Sequence, residues 1–230
     1  MRKLGFLGGS FDPVHNGHVQ LALAAAEALR LDEVRFIPAA QSWQKNAPGA
    51  NGAARVAMLQ LALAQADFRQ PGQHTAFGVD ERELQRGGLS YSIDTARELR
   101  RECGAEAALF LLLGADQFLN LPAWREWRAL FDLVNIAAAG RPGYEMNQAH
   151  WPPEILGACA SRVVDARRSA ATKAFGGVHL IDMAPVDAAA TDVRARLQSG
   201  AAGVQLAAPL AALLPAPVID YIERHQLYSS

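Results

Sequence analysis

The sequence predicts a doubly wound α/β protein built on a mostly parallel sheet, and three observations carry that prediction. Short apolar runs of strand character alternate with segments of helical period from one end to the other. One run, Ala108 to Leu113, is apolar at every position, the mark of a strand covered on both faces. The first run, Leu4 to Leu7, passes through Gly8-Gly9 and a turn-rich segment straight into an Ala-rich helix, the strand, turn and helix with which such sheets open. No internal repeat or linker interrupts the alternation. Residues 1–230 therefore read as one domain, with a C-terminal helical portion from about residue 191 to 230.

The opening turn reads Gly8-Gly9-Ser10-Phe11-Asp12-Pro13-Val14-His15-Asn16-Gly17-His18. Gly8 and Gly9 lack a Cβ, so the backbone there is free to take positive φ and to lie against a ligand, with its N–H groups turned toward an anion. Asp12-Pro13 and Asn16-Gly17 are turn dipeptides that end the strand before the helix begins. With a helix starting near Asn16, His15 and His18 both stand at its N-terminal end, where the macrodipole and unpaired N–H groups favour negative charge. This outlines a phosphate site, although neither G-x-x-x-x-G-K-[ST] nor G-x-G-x-x-G is present. Two imidazoles stand in place of the usual lysine and donate hydrogen bonds while adding little permanent charge. A helix cap and a metal pair remain open as other readings of the two histidines, the metal pair lacking a third ligand.

Val34 to Pro38 reads as the second strand, stopped by its proline. The aperiodic loop from Ala39 to Gly52 carries Trp43 and Lys45 and has the length of a binding loop or a disordered one. Lys45 is accordingly either a ligand contact or a solvated charge. Arg55 to Ala66 has helical spacing, and Thr75 to Val79 is a short strand leading into the charged turn Asp80 to Glu83. After Gly87-Gly88, Ser90 to Thr95 stands before a helix from Ala96 to Glu102, either as its cap or as a second anion site suited to a carboxylate. The strand Ala108 to Leu113 ends in Gly114-Ala115-Asp116, which puts Asp116 where open α/β sheets bind ligands unless it simply caps a helix.

Trp127 and Phe131 fit the core, whereas Trp124, just after Pro122, is placed to offer a ring face to a planar ligand. Leu133 to Ala139 is another strand, Tyr144 to Arg168 is irregular, and Val178 to Met183 is a further strand. Thr191 or Asp192 then caps a helix running to Gly200, with Arg194 near its start as a phosphate contact or a solvated side chain. A helix from Pro217 to His225 closes the pattern.

Composition sets limits on function. The 230 residues are 50% apolar and 20% charged with a formal net charge of −1, so no general field draws in nucleic acid or a membrane surface. Any anion must be held by local groups. Cys103 and Cys159 form no C-x-x-C and imply no disulfide framework, which fits a reducing cytoplasm. Val204 to Ile219 is broken by three prolines and is unsuited to spanning a bilayer. A homo-oligomer is compatible with all of this.

On these residues the chain resembles, over nearly its full length, the bacterial nicotinate-nucleotide adenylyltransferases of the H-x-G-H nucleotidyltransferase superfamily. The resemblance rests on Gly8 to His18, Ser90 to Thr95, Gly114 to Phe118 with Trp124 to Trp127, Thr191 to Arg194, and Val218 to Ile222. It implies a Rossmann-like nucleotidyltransferase fold that moves AMP from ATP to nicotinate mononucleotide, with Mg²⁺, giving deamido-NAD and pyrophosphate in NAD biosynthesis. It further implies that Gly8, Gly9, Ser10 and Phe11 hold the nucleotide. His15 and His18 would stabilise its phosphates, and Lys45, Thr191 and Arg194 would neutralise the triphosphate. Trp124 would stack on the pyridine ring, Ser92 and Thr95 would receive its carboxylate, and Asp116 would make a sugar or positioning contact.

One departure stands out. Ala189 occupies a position where the family usually has a serine, which removes a hydroxyl worth about 1.5–3 kcal/mol toward a charged group. The rivals are an enzyme for another acceptor, such as nicotinamide mononucleotide or phosphopantetheine, and a non-catalytic nucleotide sensor.

Overall fold

The computed structural model describes residues 1–43, 49–65, 74–140, 146–164, 173–184, 190–198 and 210–228. Lys45, Ala189 and the end of the helix expected at Gly200 lie outside these. The strands are β1 (Lys3–Gly9), β2 (Glu33–Pro38), β3 (Gln41–Ser42), β4 (Ala76–Val79), β5 (Leu89–Ser90), β6 (Ala108–Gly114), β7 (Asn135–Ala139), β8 (Val163–Val164) and β9 (Val178–Ile181). The α-helices are α1 (Asn16–Leu29), α2 (Gly52–Leu63), α3 (Arg82–Arg86), α4 (Ser92–Cys103), α5 (Ala115–Leu119), α6 (Pro153–Cys159), α7 (Ala190–Gln198) and α8 (Ala216–Arg224).

Seven strands form one sheet in the order β4-β2-β1-β6-β7-β9-β8, and every pairing in it is parallel. From β1 the chain winds outward through β2 to β4, then returns to pair β6 on the other side of β1 and passes through β7 to the edge strand β8, with β9 inserted between those two. The order reverses between β1 and β6, and a doubly wound sheet opens its ligand crevice at the carboxyl ends of such a pair. A separate ribbon pairs β3 with β5 in parallel.

Side chains alternate faces along a strand, and β6 shows how this builds the two halves of the core. Phe110 and Leu112 pack into the cluster formed with Ala22 and Ala25 of α1, Met58 and Leu59 of α2 and Val218 and Ile222 of α8. Leu109, Leu111 and Leu113 join the opposite cluster with Ile93, Ala96 and Leu99 of α4, Ile155 of α6, Trp127 and Phe131. A run apolar at every position is what covering both faces requires.

Several boundaries differ from the sequence reading, each for a local reason. β1 continues through Gly8 and Gly9, so these glycines are extended and the positive φ falls on Phe11, at 46°. That conformation costs a non-glycine residue about 1–2 kcal/mol. It is held by complete burial of the Phe11 ring against Phe36 and edge-on to His18, with centroids 5.8 and 4.9 Å away. The charged stretch at Arg82 is helix α3, stopped by Gly87 and Gly88 at φ 69° and 66°.

Helix α4 begins at Ser92, four residues before the expected start, because Tyr91 supplies the extended N-cap backbone. Helix α7 begins at Ala190, so Thr191 and Asp192 lie in its first turn and do not cap it. Within the stretch that the sequence left irregular, α6, short 3-10 turns and edge strand β8 are formed, and Trp151 is buried. Among the described residues no helix is long and apolar enough to cross a membrane.

Candidate active site

A cavity of about 370 Å³ opens at the carboxyl ends of β1 and β6. Gly8, Gly9 and Ser10 form one wall. An ideal Cβ on Gly8 would meet nothing within 4 Å, so its missing side chain leaves space for a ligand. One on Gly9 would lie 3.3 Å from the Phe11 ring, so that glycine instead lets the ring close beneath the strand. Phe11 is fully buried and supports the wall from behind without lining it.

His15 is the N-cap of α1, and its backbone N–H donates to His18 Nδ1 at 3.2 Å. An imidazole here does what Glu does in a capping box. With Nδ1 accepting, the neutral ring carries its proton on Nε2, an assignment that follows from this hydrogen bond. The rings stack with centroids 3.6 Å apart, and both line the cavity. The start of α1 is pinned from the other side, where Asn16 donates its N–H to the Leu213 carbonyl at 2.8 Å and its Nδ2 to that of Ala212 at 3.0 Å.

Two further helix N-termini reach the same cavity. Ser92 brings α4 to it, and Ala190 and Thr191 bring α7. Three helix dipoles therefore turn their positive ends toward one space, an arrangement that favours anions. Asp116, in the first turn of α5, and Trp124 also line the cavity. The Trp124 indole N–H is buried and has no hydrogen-bond partner among the described residues. Among those residues no cluster of three or more His, Cys, Asp or Glu is arranged to hold a metal ion.

Thr95 is not brought to the cavity. Because α4 starts at Ser92, Thr95 falls inside the helix, 1% exposed, where its hydroxyl donates to Glu83 Oε1 and accepts from Arg86 Nη2 at 3.2 Å. Glu83 itself reaches the cavity wall, and burial pushes its carboxyl above the usual range against the opposing hydrogen bonds from Thr95 and Ser90. Ser90 Oγ also accepts the Ala40 N–H at 3.0 Å, which ties the β2–β3 connection to the start of α4.

Arg194 stands beside the cavity rather than in its wall. Its Nη1 donates to the Asp12 carbonyl at 2.6 Å, and its Nη2 lies 3.5 Å from Thr191 Oγ1. Asp12, read from the sequence only as half of a turn dipeptide, is 3% exposed, and its carboxylate accepts from Gly49 N–H at 2.8 Å, Ala50 N–H at 3.0 Å and Tyr228 Oη at 2.7 Å. Arg55, 2% exposed, donates Nη1 to the Ser10 carbonyl at 2.7 Å. Sequence reading missed Asp12, Arg55, Glu83 and Tyr228; an acid and an arginine on otherwise apolar or turn-forming stretches were the only signals.

The family model described as cytidylyltransferase-like matches residues 6–196. The chain belongs to that family. Curated relatives narrow the branch. Proteins of Herminiimonas arsenicoxydans and Chromobacterium violaceum, each named "Probable nicotinate-nucleotide adenylyltransferase", are both 40% identical to this chain; they cover 100% and 98% of it respectively, and in each case 98% of their own length. Its place within the family is with the nicotinate-nucleotide adenylyltransferases. Among solved structures, Plasmodium falciparum nicotinic acid mononucleotide adenylyltransferase complexed with NaAD matches with a TM-score of 0.73, covering 99% of this chain and 98% of that one. At 15% identity that likeness concerns the fold.

Proposed function

We propose that this chain transfers AMP from ATP to nicotinate mononucleotide, forming deamido-NAD and pyrophosphate in NAD biosynthesis. The observation that carries the reading is one cavity that brings together groups suited to phosphates and groups suited to a planar anion. Helix starts, the stacked imidazoles of His15 and His18, Ser92 and Trp124 all line it. The names of full-length relatives at 40% identity support the choice of acceptor.

In this reading Gly8, Gly9 and Ser10 seat the nucleotide against β1, with Phe11 holding that wall in place. The 5′-phosphate of the acceptor attacks the α-phosphorus of ATP, a new P–O bond forms and the α–β P–O bond breaks, with the electron pair leaving on pyrophosphate. The substrate supplies the nucleophile, so positioning and charge stabilisation are what the protein contributes. His15 and the Nε2–H of His18 donate to phosphate oxygens as charge shifts onto the leaving group. Arg194 and Lys45 neutralise the triphosphate, and Thr191 presents a hydroxyl and the start of α7.

Trp124 stacks on the pyridine ring, and Ser92 with the first N–H groups of α4 receives its carboxylate. An anion suits a helix N-terminus better than the neutral amide of the nicotinamide form does. Thr95 acts behind this contact, through Glu83. Asp116 contacts the acceptor sugar. Mg²⁺ would be held chiefly by the triphosphate oxygens and would supply charge neutralisation there beside His15, His18 and Arg194. A cytoplasmic location goes with this reading.

Pyrophosphate release from ATP and Mg²⁺, measured with nicotinate or nicotinamide mononucleotide as acceptor, tests it. Strong preference for the nicotinate form is expected. Equal use of the two acceptors would remove the role given to α4, and release with neither would leave a nucleotide-binding module.

A further inference from the structure

We propose that Trp43 is a second aromatic contact for the acceptor, meeting the pyridine ring of nicotinate mononucleotide alongside Trp124, and so sets affinity for the acceptor and not for ATP. The proposal rests on the acceptor roles given to Trp124 and Ser92 above.

Tryptophan carries one of the largest apolar side chains, and most of its surface normally goes inside. Two of the four tryptophans follow that rule. Trp127 and Trp151 are each 5% exposed and pack edge-on to Phe131 and Phe118, with centroids 6.3 and 5.0 Å apart. The other two, Trp43 and Trp124, line the cavity. Trp43 is 36% exposed; the other exposed large apolar residues, Met1, Leu89, Leu156 and Phe175, do not line the cavity. An apolar ring left uncovered at a concave wall is placed to be covered by a ligand.

The small ribbon sets which part of the cavity the ring serves. β3 and β5 pair in parallel, with Gln41 opposite Leu89 and Ser42 opposite Ser90, and the Ala40 N–H donates to Ser90 Oγ at 3.0 Å. Trp43 is the next residue after Ser42, and Tyr91, the N-cap of α4, is the next after Ser90. The ribbon therefore delivers Trp43 to the start of α4, where Ser42, Ser90 and Ser92 line the same cavity. That is where the acceptor's carboxylate was placed above.

The chemistry of the acceptor suits the contact. In a mononucleotide the pyridine nitrogen is bonded to ribose, so the ring is a flat cation. Indole faces are electron-rich and attract such a cation beyond what apolar coverage supplies. An uncharged adenine gains coverage alone.

Michaelis constants for both substrates test this, because they do not move with the fraction of enzyme that folds. Trp43→Leu is expected to raise the constant for nicotinate mononucleotide about fivefold at saturating ATP, and Trp43→Tyr, which keeps an aromatic face, to stay within about twofold of the wild type. The constant for ATP is expected to be unchanged in both. An unchanged acceptor constant in Trp43→Leu, a raised constant for ATP, or an equal rise in the two variants would overturn the proposal while leaving the proposed reaction intact. If wild-type enzyme released no pyrophosphate with nicotinate mononucleotide, both would fall.

Discussion

Because His18 Nδ1 accepts the His15 N–H, and the proposed reaction uses the same ring as a phosphate donor, truncating this side chain tests a cap and that donor together. His18→Ala is expected to lower kcat about 10²–10³-fold, the usual effect of losing one preorganised donor to developing charge. Its cost in stability should be only about 1 kcal/mol, the value of a cap. Rates of pyrophosphate release alongside thermal denaturation separate the two effects. Thr95→Val makes the opposite prediction. It strips Glu83 of a buried donor and should destabilise by about 1–3 kcal/mol, with the Michaelis constant for the acceptor unchanged in the folded protein. A raised acceptor constant at normal stability would return Thr95 to the binding site. The residues that touch the cavity were legible where a special type stood in a special spacing, as with His15, His18, Ser92, Asp116 and Trp124. Asp12 and Tyr228 were not, since the contact that matters joins positions 216 apart in sequence.

At the scale of elements, hydrophobic period located the six longer strands and α1, α2, α4, α7 and α8, and missed the short β3, β5, β8, α3, α5 and α6, where side-chain period is silent. Gly8-Gly9 looked like the start of a loop because glycine permits one, yet parallel pairing with Ile37 and Pro38 of β2 keeps β1 extended to its end, past the last pair with β6 at Phe6. That extension is what points the α-carbon of Gly8 into open space. Gly8→Val should therefore fold with a stability change within about 0.5 kcal/mol and lose ATP binding, which calorimetric titration with and without ATP would register. A large fall in melting temperature would mean that Gly8 serves the strand and not the ligand. The start of α4 was misjudged because Tyr91 caps it through backbone conformation alone, without a side-chain signature.

Across the whole molecule, strict alternation of elements dictated a parallel doubly wound sheet, and its strand order then created the crevice. What the sequence could not carry was which strands become neighbours, because that is decided by packing on both faces at once. One consequence concerns acid. His179 on β9 is 3% exposed, edge-on to Phe110 at 5.3 Å, and burial, aided by the nearby charge of Lys3, lowers its pKa from 6.5 to about 4. The unfolded chain takes up this proton near pH 6.5 and the folded chain only near pH 4, so folding stability falls as pH drops through that window. The loss should reach about 3 kcal/mol below it. Urea unfolding between pH 7 and 4 should show that slope for the wild type and a flatter one for His179→Gln; parallel slopes would contradict it.

The claim on which the rest depends is that phosphoryl chemistry at this cavity joins two nucleotides. It is tested most directly by following ATP labelled at the α-phosphate in the presence of Mg²⁺ and nicotinate mononucleotide. The account predicts that the label moves into a dinucleotide with the mass of deamido-NAD, and that His18→Ala slows this transfer while still binding ATP. Label recovered as free AMP, or retained in ATP that is bound and never consumed, would contradict it.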